Sequence, residues 1–203
     1  MIESVYERLF RRVNREVWVV TAAHEGHQSG LLATWVSQAS IDPIRPYVLV
    51  GIAPNHFTGE LLSASGGFVV HLPSRDQARQ VISFALGSGR DRDKLEGWDW
   101  TTGPSGAPRL SELPYWLECR SRAVLQGGDR LYVWAEAIDG AAPDGDWAPL
   151  CEHDLLAAAT SEELASLKEN REHDSAIHGP WFAEWLDRVS RGESSVTDPN
   201  CRA

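Results

Sequence analysis

The stretch YWLECRSRAVLQGGDRLYVWAEAI, residues 115–138, decides how we interpret the fold. Its first half alternates apolar and polar side chains at a period of two, which is typical of a β-strand. The Gly-Gly-Asp sequence at 127–129 predicts a tight hairpin turn, and residues 130–138 return as a second long strand. The side chains expected on one face are Tyr115, Leu117, Cys119, Ala123 and Leu125, and those on the other are Glu118, Arg120 and Arg122.

Further runs of β-branched and aromatic residues precede this hairpin. Residues 46–53 are apolar almost without alternation, so we expect this strand to be buried on both faces. Short turns join most of the strands, which favours an antiparallel sheet over a doubly wound one. The predicted fold class is mainly β, a closed or partly closed antiparallel barrel, with strands near 16–22, 31–36, 46–53, 66–72, 115–125 and 130–138 and helices near 3–14, 55–63 and 74–86.

Length and composition limit the class of protein. The 203 residues suffice for one globular domain, with or without an appendage. A formal net charge of −10 offers no positive surface to a phosphate backbone, so we expect no nucleic-acid partner. No apolar run approaches the roughly 20 residues that span a bilayer, and residues 1–7 lack a signal-peptide core, so we expect a cytoplasmic protein that does not contact membranes. Its cysteines, Cys119, Cys151 and Cys201, fit neither a disulfide framework nor a metal site.

The last quarter of the chain differs from the rest. With 11 acidic and 5 basic residues, residues 152–203 carry most of the net negative charge. Helices are predicted at 160–170 and 180–186, and the second should dock its tryptophans on the barrel or on a partner subunit. Residues 192–203 are expected to be unstructured. The chain therefore divides into a barrel domain, 1–150, and an acidic helical extension with a disordered end, 151–203.

A strand-to-helix junction at residues 54–58 is the first candidate binding site. Such a junction presents free backbone N–H groups and the positive end of the helix dipole, which suit a phosphate. Asn55 is the expected N-cap of the helix, and Thr58 adds a further hydrogen-bonding side chain. The alternative is an ordinary capped helix without a ligand.

Two more segments carry residues suited to a cofactor. Residues 29–40 interleave small and hydroxyl side chains with Trp35, so that a flat ring can approach the backbone; the alternative is a Ser/Thr-rich edge strand. Residues 84–95 place a glycine-flanked serine before alternating charges, where Arg90 or Arg92 is suited to clamp a phosphate. The alternative for this third segment is a solvated helix end.

Taken in order along the chain, these segments resemble the flavin reductase-like family, the FMN-binding split barrels, over about residues 5–140. No single segment is specific, and their common order carries the resemblance. Residues 30–40 are also similar to the reductase module of cyanobacterial diflavin flavoproteins. The matching segments are 17–22, 30–43, Asn55 with Thr58, 68–72, 84–95, 106–110, 116–119 and 128–129.

The resemblance implies a Greek-key split barrel that holds FMN at a homodimer interface. It places Leu32, Ala33, Thr34 and Trp35 at the isoalloxazine ring, Ser40, Asn55 and Thr58 at the ribityl chain and phosphate, and Phe84, Ser88 and Arg90 near the same pocket. The flavin would pass hydride from NADH or NADPH to an acceptor, so no catalytic side chain and no metal are implied. The function implied is an NAD(P)H:flavin reductase or the reductase component of a monooxygenase. Alternatives are an FMN-binding electron carrier and a flavin-free split barrel that serves as a binding protein.

Two features depart from the family pattern. Arg130 follows the Gly-Asp of the late hairpin, where family members commonly carry histidine. An arginine there favours the extra phosphate of NADPH, and it leaves open a carrier that uses no nicotinamide. The segment after residue 140 has no counterpart in the resemblance, so the role of the acidic extension is open. Among the tryptophans, Trp35 is expected to touch the flavin ring, and Trp18, Trp116 and Trp134 to be structural or interfacial.

Overall fold

A computed structural model describes residues 5–193 and the backbone of residues 196–197. The helices are α1 (Val5–Phe10), α2 (Phe57–Ser65), α3 (Ala78–Val81), α4 (Glu152–Ala158) and α5 (Ser161–Ser190), with 3₁₀ turns at Arg75–Gln77 and Ile82–Ala85. The strands are β1 (Trp18–His24), β2 (His27–Ala33), β3 (Val36–Gln38), β4 (Tyr47–Ile52), β5 (Gly67–His71), β6 (Trp100–Thr102), β7 (Pro108–Leu110), β8 (Trp116–Gly127), β9 (Arg130–Ala141) and β10 (Val196–Thr197).

One curled antiparallel sheet organises the molecule. Its strands follow the order β2-β1-β5-β8-β9-β4-β3, and β10 adds to β8. β6 and β7 form a separate two-stranded ribbon. The path starts at β2 and ends at β3, so the sheet is a half-barrel rather than a closed cylinder, as the mainly β prediction allowed. Within the described ranges, no helix is both long enough and apolar enough to cross a membrane.

The sheet buries apolar side chains on both faces. Val20 and Ala22 of β1 belong to a core that β4, β5, β8 and β9 also line, while Val19 belongs to a second core on the opposite face. That second core is closed by α3, the 3₁₀ turn after it and Leu155 of α4. β5 is buried throughout. The prediction that residues 46–53 are buried on both faces is wrong for Pro46, which is exposed, and for Tyr47 and Leu49, which are half-buried.

The long hairpin departs from strict alternation. Register irregularities between Glu118 and Cys119 and again between Ser121 and Ala123 interrupt the β8–β9 pairing. Glu118, assigned to the polar face, is fully buried because residues 103–105 fold over it, and one of its oxygens accepts a hydrogen bond from the Ser105 backbone N–H at 2.6 Å. Its other oxygen has no partner among the described residues. Leu117 and Cys119 both pack in the first core, so Glu118 keeps its predicted face, and the loop over that face buries the carboxylate.

The extension is largely one helix. The two helices predicted at 160–170 and 180–186 are a single 30-residue helix, α5, that continues through Pro180. Thr160 and Glu163 form a capping box at its start. A proline inside a helix lacks an N–H donor and clashes with the preceding turn. His178 and Phe182, on either side of Pro180, both contact the barrel, and these contacts stabilise the helix.

The structure corrects the expectation for the end of the chain and adds a helix that was not predicted. Residues 194–195 and 198–203 lie outside the described residues, whereas 196–197 pair with β8, so the expectation that 192–203 lack structure is wrong for that pair. α4 was not predicted, and its Leu155 packs in the same core as Val17 beside β1. The division of the chain at residue 150 therefore crosses a shared core, and it stays a prediction.

Candidate functional site

Two adjoining cavities lie against the barrel wall; α5 lines the larger, and α1, α4 and Arg171 of α5 line the smaller. The larger has a volume of about 990 Å³ and the smaller about 490 Å³. Leu31, Leu32, His56 and Arg130 line both, so the cavities form one cleft. We call it the α5 cleft. Its size is in the range of sites that hold a small organic cofactor.

Nine of the ten residues predicted at a cofactor line the α5 cleft. Ala33, Thr34 and Trp35 line the smaller cavity, Leu32 lines both, and the larger cavity is lined by Asn55, Thr58, Phe84, Ser88 and Arg90. Three separate stretches of sequence thus meet at one place. Whether these residues bind a cofactor stays a prediction, but the structure brings them together.

Ser40 is the tenth residue, and the structure places it elsewhere. It lines a different cavity, of about 560 Å³, with Trp18 and Tyr47. β3 ends at Gln38, and the chain then turns away from the cleft. The Ser40 hydroxyl accepts a hydrogen bond from the Asp42 backbone N–H at 3.0 Å, which is a local turn contact.

The start of α2 forms one end of the larger cavity. The N-cap is His56 rather than the predicted Asn55, and no side chain caps the helix. The backbone N–H groups of the first turn therefore lack the partner that a capping side chain supplies. Gly59 allows this close junction, since a Cβ there would lie 2.8 Å from the Ala53 carbonyl oxygen. The arrangement is suited to an anion.

Asn55 faces the long helix instead of capping the short one. Its Oδ1 lies 3.1 Å from Nε2 of His178, and its Nδ2 donates to Asp174 at 3.4 Å. His56 Nε2 lies 3.2 Å from the other oxygen of Asp174. α5 thus contacts both residues that precede α2.

The loop after Phe84 forms the opposite wall. The Phe84 ring packs where a Cβ at Gly30 would lie, 2.6 Å from it, and the Lys94 ammonium donates to the Phe84 carbonyl at 2.8 Å. Burial and the neighbouring Arg92 lower the pKa of Lys94 to about 8. A Cβ at Gly89 would collide with the Ser29 hydroxyl, which is buried and has no hydrogen-bond partner in the part of the chain that is described. Ser29 is therefore an unpaired polar group in the wall beside the cleft.

Basic side chains gather here although the whole chain is acidic. Arg90 donates to the Asn55 carbonyl at 3.1 Å, pairs with Glu60 and lies over the Phe57 ring. Arg130 pairs with Asp129 at 2.8 Å. The cations that line the larger cavity are Arg90, Lys94, Arg130 and Arg171.

Trp35, which stacks on Tyr132, forms the floor of the smaller cavity. Trp35 and Tyr132 are parallel within 4°, with ring centroids 6.4 Å apart. The Arg130 guanidinium lies over the Trp35 ring, 4.9 Å from its centroid. At this distance, cation–π attraction stabilises the contact. Trp35 is 37% exposed, so part of its surface is available to a ligand.

His178 joins the helix to this floor. Its Nδ1 lies 3.0 Å from Nη1 of Arg130. Within α5, all of which the structure describes, His178 is the buried residue. Burial lowers the pKa of His178, Arg130 lowers it further, and Asp174 and Asp129 oppose the shift. Neither Asp174 nor His178 was predicted from the sequence, because neither lies in a motif and their contacts with Asn55 join residues more than 100 positions apart.

Comparison with known proteins gives the family context. Residues 10–155 match the family model described as flavin reductase like domain. A probable flavin reductase from Rhizobium meliloti is 29% identical over 118 residues, which are 58% of this chain and 36% of that protein. Diflavin flavoprotein A 1 from Synechocystis sp. is 24% identical over 140 residues, 68% of this chain and 24% of that protein. The chain thus spans about a third of one curated relative and a quarter of the other.

A solved structure agrees with this context. The NADH:FAD oxidoreductase of Streptomyces globisporus superposes with a TM-score of 0.63 at 25% sequence identity, covering 72% of this chain and 87% of that one. The predicted split-barrel fold is therefore confirmed. The segment from 156 onward, which includes α5, lies beyond the family match.

Proposed function

The chain belongs to the family of flavin reductase like domains, as the resemblance indicated, and from that premise we propose that it is an FMN-binding reductase. It takes hydride from NADH or NADPH and passes electrons to a free flavin or another acceptor, as an NAD(P)H:flavin reductase or as the reductase component of a monooxygenase. The observation that carries the proposal is the α5 cleft, where nine residues expected at the cofactor meet.

Features of the cleft fit a flavin mononucleotide. The uncapped first turn of α2 is suited to the phosphate, with Asn55 and Thr58 beside it. The partly exposed face of Trp35 offers an apolar surface to the ring.

The chain's own contribution is binding, orientation and exclusion of water. A bound flavin supplies the redox chemistry, because its ring accepts hydride and passes the electrons on. Thr34 and Trp35 lie between β2 and β3, outside both strands, so their backbone N–H groups are suited to donate to the ring. α5 covers the cleft from the solvent side through His178. No side chain is assigned a proton-transfer role.

Arg130 supports NADPH as the hydride donor. A guanidinium presents a fork of N–H donors that matches a phosphate, and this one lies at the cleft beside Trp35. NADH is the alternative, since the extra phosphate would then be absent and Arg130 would keep its contact with Asp129.

The same residue favours a second candidate function. Arg130 already pairs with Asp129 and contacts His178, and it covers one side of Trp35. If these contacts persist, a nicotinamide has little access to the ring, and the protein is an FMN-binding electron carrier. A split barrel without flavin is the outcome if no FMN binds.

The proposal extends to assembly and organisation. The flavin-binding domain is 1–150, and 151–203 is an appended region whose α5 closes the cleft. A homodimer is supported by apolar side chains on the uncovered side of the sheet, where Trp134 is 42% exposed and contacts Tyr47. The composition supports a cytoplasmic location.

Anaerobic titration tests the proposed function. The protein is mixed with one equivalent of FMN, and NADPH or NADH is added in steps while the visible absorbance of the flavin is followed. Loss of that absorbance at a rate above that of free FMN supports the reductase. Binding of FMN without reduction by either nicotinamide leaves the electron carrier. Absence of FMN binding would exclude both.

A further inference from the structure

An acidic side chain lies where the proposed function needs an anion. The Asp174 carboxylate on α5 contacts Asn55 Nδ2 at 3.4 Å and His56 Nε2 at 3.2 Å. These two residues immediately precede α2, whose first turn no side chain of its own caps. Asp174 thus supplies negative charge to the positive end of that helix from a distant part of the chain.

The helix that carries Asp174 is held in place on both sides of it. Four residues further along, His178 contacts both Asn55 at 3.1 Å and Arg130 at 3.0 Å. One turn beyond, the Phe182 ring packs against Gly128, whose φ of +66° and lack of a Cβ make room for it. Towards the start of the helix, Arg171 pairs with Glu7 of α1. The position of the carboxylate is therefore set by the packing of α5.

A carboxylate and a phosphate cannot share these donors without cost. A phosphate monoester carries about −1.5 to −2 charges at neutral pH, and a second anion within a few ångströms of it is repelled. In addition, Nδ2 of Asn55 already donates a hydrogen bond to Asp174, and a phosphate at this place would need the same donor. The phosphate must displace Asp174 or bind beside it.

We propose that Asp174 is an internal competitor for the phosphate of the flavin, which makes FMN a dissociable ligand rather than a permanently held group. The inference rests on the proposed function, because it assigns the phosphate to the start of α2. It identifies a residue of the appended helix as a determinant of cofactor affinity. A flavin that exchanges readily is what a reductase needs if it hands reduced flavin to another protein.

The substitution D174N tests the proposal, since it removes the charge and keeps the shape of the side chain. The dissociation constants of FMN and of riboflavin, which lacks the phosphate, are measured by quenching of flavin fluorescence. We expect FMN to bind about tenfold more tightly, or more, to D174N than to the parent protein. Riboflavin should bind both proteins equally.

The matched control is E172Q. Glu172 lies on the same helix and is exposed, with Lys168 as its ion-pair partner, so this variant changes the net charge by the same amount away from the cleft. Its FMN affinity should equal that of the parent. D174A, which removes the carboxylate entirely, should also bind FMN more tightly than the parent does. This second variant shows that the effect comes from loss of the charge and not from the introduced asparagine.

Other results would overturn the proposal. If FMN binds the parent and D174N equally, Asp174 does not compete, and if FMN binds D174N more weakly, Asp174 assists binding. Equal tightening for riboflavin would mean that the charge acts on the ring rather than on the phosphate. If neither FMN nor riboflavin binds the parent, D174N or D174A, the proposed function itself fails. This result differs from the first two, in which FMN binds.

Discussion

Among single residues, Asn55 has the largest part in the proposed site. The sequence predicted that it caps α2, but the structure shows its amide facing α5, with His56 as the N-cap. A helix start can be predicted to within a residue or two from local signals. The direction of the Asn55 side chain could not be predicted, because it depends on contacts with residues 174 and 178.

The variant Asn55→Ala should lower the affinity for FMN by about tenfold or more, because it removes a hydrogen bond to a charged group, which is worth roughly 1.5–3 kcal/mol. The free energy of unfolding should change less, since the amide is only half-buried. Fluorescence titration and urea unfolding measure the two quantities. Riboflavin is the control ligand, and an FMN affinity equal to that of the parent would contradict the assignment of the phosphate to this junction.

His71 is a second informative residue, outside the cleft. It is fully buried on β5, with Nδ1 3.2 Å from the Val19 carbonyl oxygen and Nε2 3.1 Å from the Leu110 backbone nitrogen. A neutral ring satisfies both contacts, since Nδ1–H donates to Val19 and Nε2 accepts from Leu110. Burial lowers the pKa of His71 to about 4, and nearby Arg109 adds to the decrease.

The protein should therefore lose stability as the pH falls below about 6.5, the pKa of an exposed histidine. Between that pH and about 4, the unfolded chain binds a proton that folded His71 does not, so the stability contributed by neutral His71 is complete above the window and decreases through it, by about 3 kcal/mol in all. Urea unfolding from neutral pH to pH 4 measures the effect. His71→Gln should show a shallower decline, and parallel profiles for the two proteins would contradict the prediction.

At the scale of elements, the contact between α5 and the β8–β9 turn holds α5 beside the larger cavity. Gly128 has a φ of +66°, and a Cβ there would collide with the Phe182 ring. Gly26 has a φ of +80° in the β1–β2 turn, but nothing lies within 4 Å of its Cβ position. The two glycines separate backbone strain from steric displacement of α5.

Gly128→Ala should thus destabilise the protein more than Gly26→Ala does. Both variants pay the cost of a left-handed alanine, about 1 kcal/mol, and Gly128→Ala adds the displacement of Phe182. Hydrogen exchange should show faster exchange of α5 amides in Gly128→Ala alone. Equal exchange in the two variants would show that Phe182 does not hold the helix.

The elements also show what the sequence could predict. Runs rich in valine predicted β1, β4 and β5, and the Gly-Gly-Asp turn predicted the long hairpin, because these signals are local. The continuity of α5 through Pro180 could not be predicted, since long-range packing outweighs the local preference. The burial of Glu118 likewise could not be predicted, because residues 103–105, which cover it, are brought there by the fold. The cleft residues were found through family resemblance, but the wall formed by α5 was not.

At the scale of the whole molecule, the outer side of β4 and β9 should be a subunit contact. Trp134 is 42% exposed there, opposite Leu49. Trp134→Arg should shift a dimer toward monomers in sedimentation velocity, because a buried charge opposes association. Trp100→Arg, at a tryptophan 39% exposed on the β6–β7 ribbon, is the control and should sediment as the parent does. A monomeric parent would contradict the homodimer.

A crystal structure of the protein grown with excess FMN shows whether the α5 cleft is the flavin site. We expect density for the isoalloxazine beside residues 32–35 and for the phosphate at the start of α2, with Asp174 turned away from Asn55. An α5 cleft without density at saturating FMN, or FMN bound on another surface, would contradict it.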